Sequence, residues 1–236
     1  MDVDALALLR DDPGRAAILL DIDGTLAPIV ERPEDAAVPD ATRDVLRGLV
    51  ERYALVGAVT GRPGPHGREM VSVAGMRVVG NHGLELAEEA DGWRDRLRAF
   101  RESVAWPVED KGLALSYHYR LHPDHAAARA ELELVAARAR DAGFRPRFGR
   151  MVLEVLPPLD VDKGTAVRAL LAQSGLSRAL FAGDDTTDLD AFRALEELET
   201  GVKVAVDSAE GPPELRERAD VVVAGPAGLV ELLRTL

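Results

Sequence analysis

The sequence predicts an α/β fold, a doubly wound parallel sheet covered by helices, with a smaller α+β segment inserted into it. Three observations carry this expectation. Short apolar runs at 16–20, 54–60 and 179–182 have the length of strands buried on both faces. Each is followed by a polar turn and then by apolar residues at helical spacing, the rhythm of a parallel sheet. That rhythm breaks between 87 and 157, where the order becomes strand, long helix and hairpin. The expected organisation is a discontinuous core, 1–86 and 158–236, around an insert at 87–157.

Residues 16–20 make the first strand. Asp21 and Asp23 follow it and share one face if the strand continues. Gly24 then permits a tight turn. Residues 27–39 read as a proline-containing loop. Pro39-Asp40-Ala41-Thr42 opens a helix to about Arg52, with Val45, Leu46, Leu49 and Val50 on one stripe. The second strand, 54–60, ends in Thr60-Gly61-Arg62. Residues 63–67 read as loop, followed by a short helix and a third strand at 77–80. In the insert, 97–104 reads as helix, 112–120 as strand and 123–141 as a long helix stopped by Gly143. Residues 144–148 and 151–156 read as a hairpin around Gly149-Arg150. The core resumes with a helix at 164–173 and a strand at 179–182 that ends in Gly183-Asp184-Asp185. A helix at 187–199, strands at 202–206 and 221–223 and a helix at 226–236 complete it.

Composition excludes several function classes. The chain has 236 residues, 47% of them hydrophobic, enough for a sizeable core. A net charge of -12 argues against a nucleic-acid partner but allows an anionic substrate where positive charge is locally concentrated. Without cysteine there is no disulfide, thiolate zinc site or thiol nucleophile. Residues 1–15 lack a basic-then-apolar leader, and no apolar run approaches the ~20 residues of a membrane span. The expectation is a cytoplasmic protein with a small-molecule substrate and no membrane partner.

The stretch Ile18-Leu19-Leu20-Asp21-Ile22-Asp23-Gly24-Thr25-Leu26 resembles motif one of the haloacid-dehalogenase superfamily of phosphohydrolases, whose core is Rossmann-like. In that superfamily the first Asp is the nucleophile and the second the general acid/base. Thr60-Gly61-Arg62, Lys163 and Gly183-Asp184-Asp185 follow in the order of the remaining motifs. Singly, each has an ordinary reading: a β-branched strand end, a surface turn, a helix N-cap. Together, beyond the carboxyl ends of parallel strands, they fit phosphoryl transfer. Asp21 attacks phosphorus, and Asp23 protonates the leaving oxygen and then activates water. Thr60 donates to a phosphate oxygen, and Lys163 keeps Asp21 ionised. Adjacent acids repel at a buried strand end, and Mg²⁺ relieves that repulsion. The resemblance implies Mg²⁺ on the Asp21 carboxylate, the Asp23 carbonyl and Asp184, with Asp185 and Asp188 supporting the metal or orienting Lys163.

The insert resembles the type-two cap of the superfamily, a lid that excludes water and reads the leaving group. It offers Glu109, Lys111, His118, Arg120, Arg150 and Glu154. Glu154 stands alone in an apolar run, where an unpaired acid is costly. The stretches 20–31, 60–62, 80–85, 108–112, 118–120, 152–155 and 162–164 resemble the trehalose-6-phosphate phosphatase family; Gly80-Asn81-His82-Gly83 and Glu109-Asp110-Lys111-Gly112 are the most specific. That resemblance implies sugar contacts by Glu109, Lys111, Arg120, Arg150 and Glu154, with His118 beside them. Gly61 and Arg62 join the substrate set, and Asn81 and His82 shape the entrance. Leu189 departs from the family, which usually has Glu there. The implied reaction is Mg²⁺-dependent hydrolysis of trehalose 6-phosphate. A sucrose- or mannosyl-phosphate phosphatase, and a catalytically silent module that regulates a synthase, are the alternatives. The chain resembles the stand-alone phosphatase rather than the fused synthase, and functional coupling to a separate trehalose-6-phosphate synthase is an expected partnership.

Overall fold

The computed structural model describes residues 3–30, 32–149, 151–208 and 211–236. Its strands are β1 (Ala17–Leu20), β2 (Leu55–Val59), β3 (Arg77–Val79), β4 (Glu109–Asp110), β5 (Leu115–His118), β6 (Arg145–Gly149), β7 (Val152–Leu156), β8 (Arg178–Gly183), β9 (Thr200–Asp207) and β10 (Val221–Ala224). Its α-helices are α1 (Val3–Asp11), α2 (Asp40–Arg52), α3 (Gly64–Val71), α4 (Arg94–Glu102), α5 (His125–Asp141), α6 (Lys163–Ser174), α7 (Asp188–Leu195), α8 (Pro213–Arg218) and α9 (Gly225–Leu233). Among the described residues no helix is long and apolar enough to cross a membrane. The chain divides into two compact units, Met1–Gly83 with Val161–Leu236, and Leu84–Asp160.

In the first unit six strands form one parallel sheet in the order β10-β9-β8-β1-β2-β3. The apolar runs have no polar face because both faces are covered. Ile18 and Leu20 pack with Leu6, Leu9, Leu46, Leu229 and Leu233 from α1, α2 and α9. Ala17 and Leu19 pack with Val167, Leu170, Phe192 and Leu195 from α6 and α7. Each fully buried Leu or Phe contributes about 1.5–3 kcal/mol. β1 lies between β2 and β8, where the winding reverses direction, so its carboxyl end is the topological switch point of the sheet.

Several elements differ from the sequence expectation for identifiable reasons. β1 stops at Leu20; the next residues coil, with the Ile22 carbonyl accepting from Leu26 N and Ala27 N, both at 2.8 Å. Asp21 and Asp23 are therefore not held on one face by strand alternation. α3 begins at Gly64, inside the expected loop, because its glycines permit close approach: a Cβ on Gly67 would lie 3.2 Å from Thr60 Cγ2. α7 ends at Leu195 instead of 199, because Thr200 and Gly201 are taken into register with Arg178 and Ala179. A Cβ on Gly201 would lie 2.4 Å from the Leu195 carbonyl oxygen. α1 and α8 were not foreseen; one is anchored by Leu6 and Leu9, the other by Leu215.

The second unit carries an antiparallel sheet in the order β4-β5-β7-β6. Leu115, Tyr117, Leu153 and Val155 form its apolar face against Leu97 and Phe100 of α4 and Leu132, Val135 and Ala136 of α5. Asp124 caps α5 by accepting from Ala127 N at 2.9 Å. On the opposite face a row crosses the sheet in register: Glu109 beside Ser116, Ser116 beside Glu154, Glu154 beside Arg147. β5 is shorter than the expected strand at 112–120, and its partner β4 was unforeseen.

Candidate active site

The site of the first unit is built at the carboxyl end of β1. Asp21 N donates to the Ala182 carbonyl at 2.9 Å, which carries the β1–β8 ladder one residue past the strand. Lys163 is the first residue of α6. Its place is set by a capping box in which Thr165 N donates to Asp162 Oδ1 at 2.8 Å and Asp162 N donates to Thr165 Oγ1 at 3.0 Å. The Lys163 ammonium bridges Asp21 Oδ1 at 2.9 Å and Asp188 Oδ1 at 2.7 Å, at 2% side-chain exposure. The other Asp188 oxygen accepts from Asp184 N and Asp185 N, both at 2.9 Å.

Three buried carboxylates, Asp21, Asp184 and Asp188, present oxygens within 4.8 Å of one another. Burial pushes the Asp21 pKa well above the ordinary carboxylate range, Asp188 and Asp184 push the same way, and Lys163 opposes them. Burial works against the Lys163 charge, but Asp188 and Asp21 more than offset it and hold the pKa above the usual lysine value. One ammonium among three acids leaves a buried excess of negative charge, which a hard divalent cation with oxygen ligands relieves. The residues present fit such an ion. Asp188 already serves Lys163 and two backbone N–H groups, so Asp21 and Asp184 are the carboxylates suited to a cation. Asp185 Oδ1 accepts from Thr186 N at 2.7 Å and Thr186 Oγ1 at 3.2 Å. Two glycines make room for this packing. A Cβ on Gly24, which has φ +78°, would lie 2.1 Å from Asp184 Oδ2, and one on Gly183 would lie 2.2 Å from Asp188 Cγ.

Motif two sits on an adjacent strand end. Thr60 is fully buried, and its Oγ1 accepts from Arg62 N at 3.2 Å. The turn after β3 is left-handed at Asn81, His82 and Gly83 and is tied to motif two: Asn81 N donates to the Arg62 carbonyl at 2.8 Å and His82 N to the Thr60 carbonyl at 2.9 Å. His82 lies over Gly61, where a Cβ would be 2.6 Å from its Nε2. Arg62 was expected among the substrate contacts. Its guanidinium grips Asp23, with Nε 2.7 Å from Oδ2 and Nη2 2.6 Å from Oδ1.

The second unit gathers a different set. Glu154 is 7% exposed, and its two oxygens accept separately, one from Lys111 Nζ at 3.4 Å and the other from Arg147 Nη2 at 2.6 Å. Glu109 Oε2 is 2.9 Å from His118 Nε2. Arg120 is half-buried just beyond β5. Arg150 lies outside the described residues. Sequence reasoning missed Arg147. The hairpin pairs Gly149 with Val152, one residue later than a turn at Gly149-Arg150 implies, and this register sets Arg147 opposite Glu154. Counted across the expected turn, Arg145 would stand opposite Glu154, so the one-residue shift of the turn hid Arg147 from the sequence.

The chain is similar to known proteins over most of its length. The trehalose-phosphatase family model matches residues 19–106 and 106–225. A probable trehalose-phosphate phosphatase of Sinorhizobium fredii is 33% identical over 226 residues, covering 89% of this chain and 83% of its own. The solved structure titled as a trehalose-6-phosphate phosphatase related protein superposes at TM-score 0.72 with 25% identity, over 93% of this chain and 96% of that one. A haloacid dehalogenase-like hydrolase from Bacteroides thetaiotaomicron shares the fold at TM-score 0.62 and 15% identity, over 93% of this chain and 98% of that one.

Proposed function

The chain belongs to the trehalose-phosphatase family, and from that premise we propose that it hydrolyses trehalose 6-phosphate to trehalose and inorganic phosphate with Mg²⁺. The observation that carries the reading is the buried cluster of Asp21, Lys163, Asp184 and Asp188 at the switch point of the sheet. An Asp21 oxygen bonds to phosphorus as the bond to the sugar oxygen breaks, and Asp23 delivers a proton to that oxygen. A water then gives its proton to Asp23 and attacks phosphorus, which releases phosphate and restores the Asp21 carboxylate. Lys163 holds Asp21 in place, and Thr60 donates to the phosphate. Asp21 and Asp184 would hold the cation, which would supply the charge that offsets carboxylate–phosphate repulsion.

Glu154, Lys111, Arg147, Glu109, His118 and Arg120 are the polar groups assigned to the disaccharide. Paired acids and bases suit a ligand whose hydroxyls both donate and accept. The proposal extends to a cytoplasmic setting and to coupling with a separate trehalose-6-phosphate synthase, the glycosyl transfer that makes the ester consumed here. Phosphate release from a panel of sugar phosphates, with Mg²⁺ and with EDTA, tests the reading. Trehalose 6-phosphate is expected to lead the panel by at least tenfold and to require the metal. Equal or better turnover of sucrose or mannosyl phosphates refutes the substrate; tight binding with no phosphate release refutes the reaction.

A further inference from the structure

We propose that Arg62 is the positioning residue for the general acid/base Asp23 rather than a contact for the sugar. The inference rests on the phosphatase reading, in which Asp23 moves the proton. The Arg62 side chain is 8% exposed and pairs with Asp23, which is 34% exposed. The pair is a two-point fork, through Nε at 2.7 Å and Nη2 at 2.6 Å. Nη2 also donates to the Pro33 carbonyl at 2.9 Å, and Nη1 lies 3.5 Å from His66 Nε2. The Arg62 backbone is fixed at both ends, its N–H by Thr60 Oγ1 and its carbonyl by Asn81 N. One side chain thus joins three segments: the coil that carries Asp23, the end of β2, and the loop that carries Pro33.

Asp23 needs such a brace. It stands beyond the end of β1 in a single-turn coil, where Gly24 N donates to the Ala27 carbonyl at 2.8 Å and no strand ladder orients its carboxylate. Proton transfer demands a carboxyl oxygen within hydrogen-bond reach of the leaving oxygen. A planar guanidinium fixes the plane of the carboxylate as well as its position, which an ammonium does not. The fork takes one lone pair from each oxygen and leaves the second on each free to carry the proton. Thr60, at the phosphate, and Arg62, at the acid, are two residues apart on one strand end, so motif two serves both partners of the reaction.

The test compares first-step rates on two leaving groups. Rapid-quench release of sugar from trehalose 6-phosphate and of phenolate from p-nitrophenyl phosphate is measured for the wild type, Arg62→Lys and Arg62→Ala, all Mg²⁺-loaded. A phenolate leaves without a proton, whereas a sugar alkoxide needs one. The first step with the sugar phosphate is expected to fall about 100-fold in Arg62→Ala, at least tenfold further than with the aryl phosphate, within the ~10²–10⁴ range of general acid catalysis. Guanidinium ion added to Arg62→Ala is expected to restore part of the loss, and Arg62→Lys to recover little. The aryl-phosphate rate also reports whether each variant is folded. Equal losses on both substrates, or a rise in KM for the sugar phosphate with its first step unchanged, overturn the assignment. If the wild type hydrolyses glucose 6-phosphate but not trehalose 6-phosphate, the substrate reading fails alone and the comparison is made on glucose 6-phosphate. An enzyme inactive on every alkyl phosphate refutes both.

Discussion

Replacing Lys163 by Met keeps most of the side-chain volume and removes only the ammonium. The magnitude follows from its surroundings. Lys163 lies 2.9 Å from Asp21 and 2.7 Å from Asp188, and the three side chains are 2%, 7% and 0% exposed. Removing one member of a buried ion cluster costs about 3–5 kcal/mol, because the partners are left charged and dry. Two carboxylates lose their cation here, so the upper part of that range is expected. A loss of that size is a large fraction of the ~5–15 kcal/mol that holds a typical protein folded. The loss also has a pH signature. Burial raises the Asp21 pKa, Asp188 and Asp184 add to the rise, and Lys163 is the group that opposes it. Without Lys163 that pKa climbs further above its unfolded value. The folded variant then binds more protons than the unfolded chain, so its stability is lost as pH rises and regained as pH falls. Urea unfolding at several pH values between about 5 and 8, in EDTA, measures this. The deficit of Lys163→Met relative to the wild type is expected to shrink steadily toward the acid end. A deficit below about 1 kcal/mol, or one independent of pH, would refute the reasoning, since surface charges typically contribute no more than that.

Three further outcomes follow from the same geometry. Gly24→Ala places a Cβ 2.1 Å from Asp184 Oδ2 at φ +78°, so Mg²⁺ affinity measured by calorimetry should drop at least ~10-fold; unchanged affinity would remove Asp184 from the metal site. Glu154→Ala should lower turnover of trehalose 6-phosphate roughly 100-fold and of p-nitrophenyl phosphate less than about threefold, because only the former offers hydroxyls to pair; a uniform loss would make Glu154 structural. The Tyr117 hydroxyl is buried with no hydrogen-bond partner among the described residues, so Tyr117→Phe should stabilise the second unit by up to about 1 kcal/mol. Burial also pushes the Tyr117 pKa from 10.0 up to about 12. The folded protein therefore holds that proton where the unfolded chain has lost it, and on this account wild-type stability should fall by about 1.4 kcal/mol per pH unit across this window. Lys163 and Tyr53, whose pKa values are also raised, contribute stability that is lost in the same direction, so Tyr117→Phe should make the alkaline slope in urea titrations shallower by about 1.4 kcal/mol per pH unit without abolishing it; a slope unchanged in the variant would assign it elsewhere.

The sequence by itself determined the layers of the core and the order of the chemistry. Apolar runs such as Ile18-Leu19-Leu20 are long enough to be strands and have no polar face, so they must lie between two layers of helices. The residues that end them, Asp21, Thr60 and Gly183, fall by that fact alone at the edge where ligands bind. Glu154 likewise announced itself, as one acid in an apolar strand. The tertiary structure alone decided which charge answers which. Arg62 and Asp23 are 39 positions apart and meet only once β1 and β2 pair; nothing near either residue names its partner. Arg147 reaches Glu154 because the hairpin turns one residue later than its glycine suggests, and Asp188, rather than Asp185, clamps Lys163 because the start of α7 aims it there. Apolar length and turn chemistry are properties of adjacent residues, legible along the chain. Ion pairing depends on strand register and loop closure, which the packing of the whole core settles.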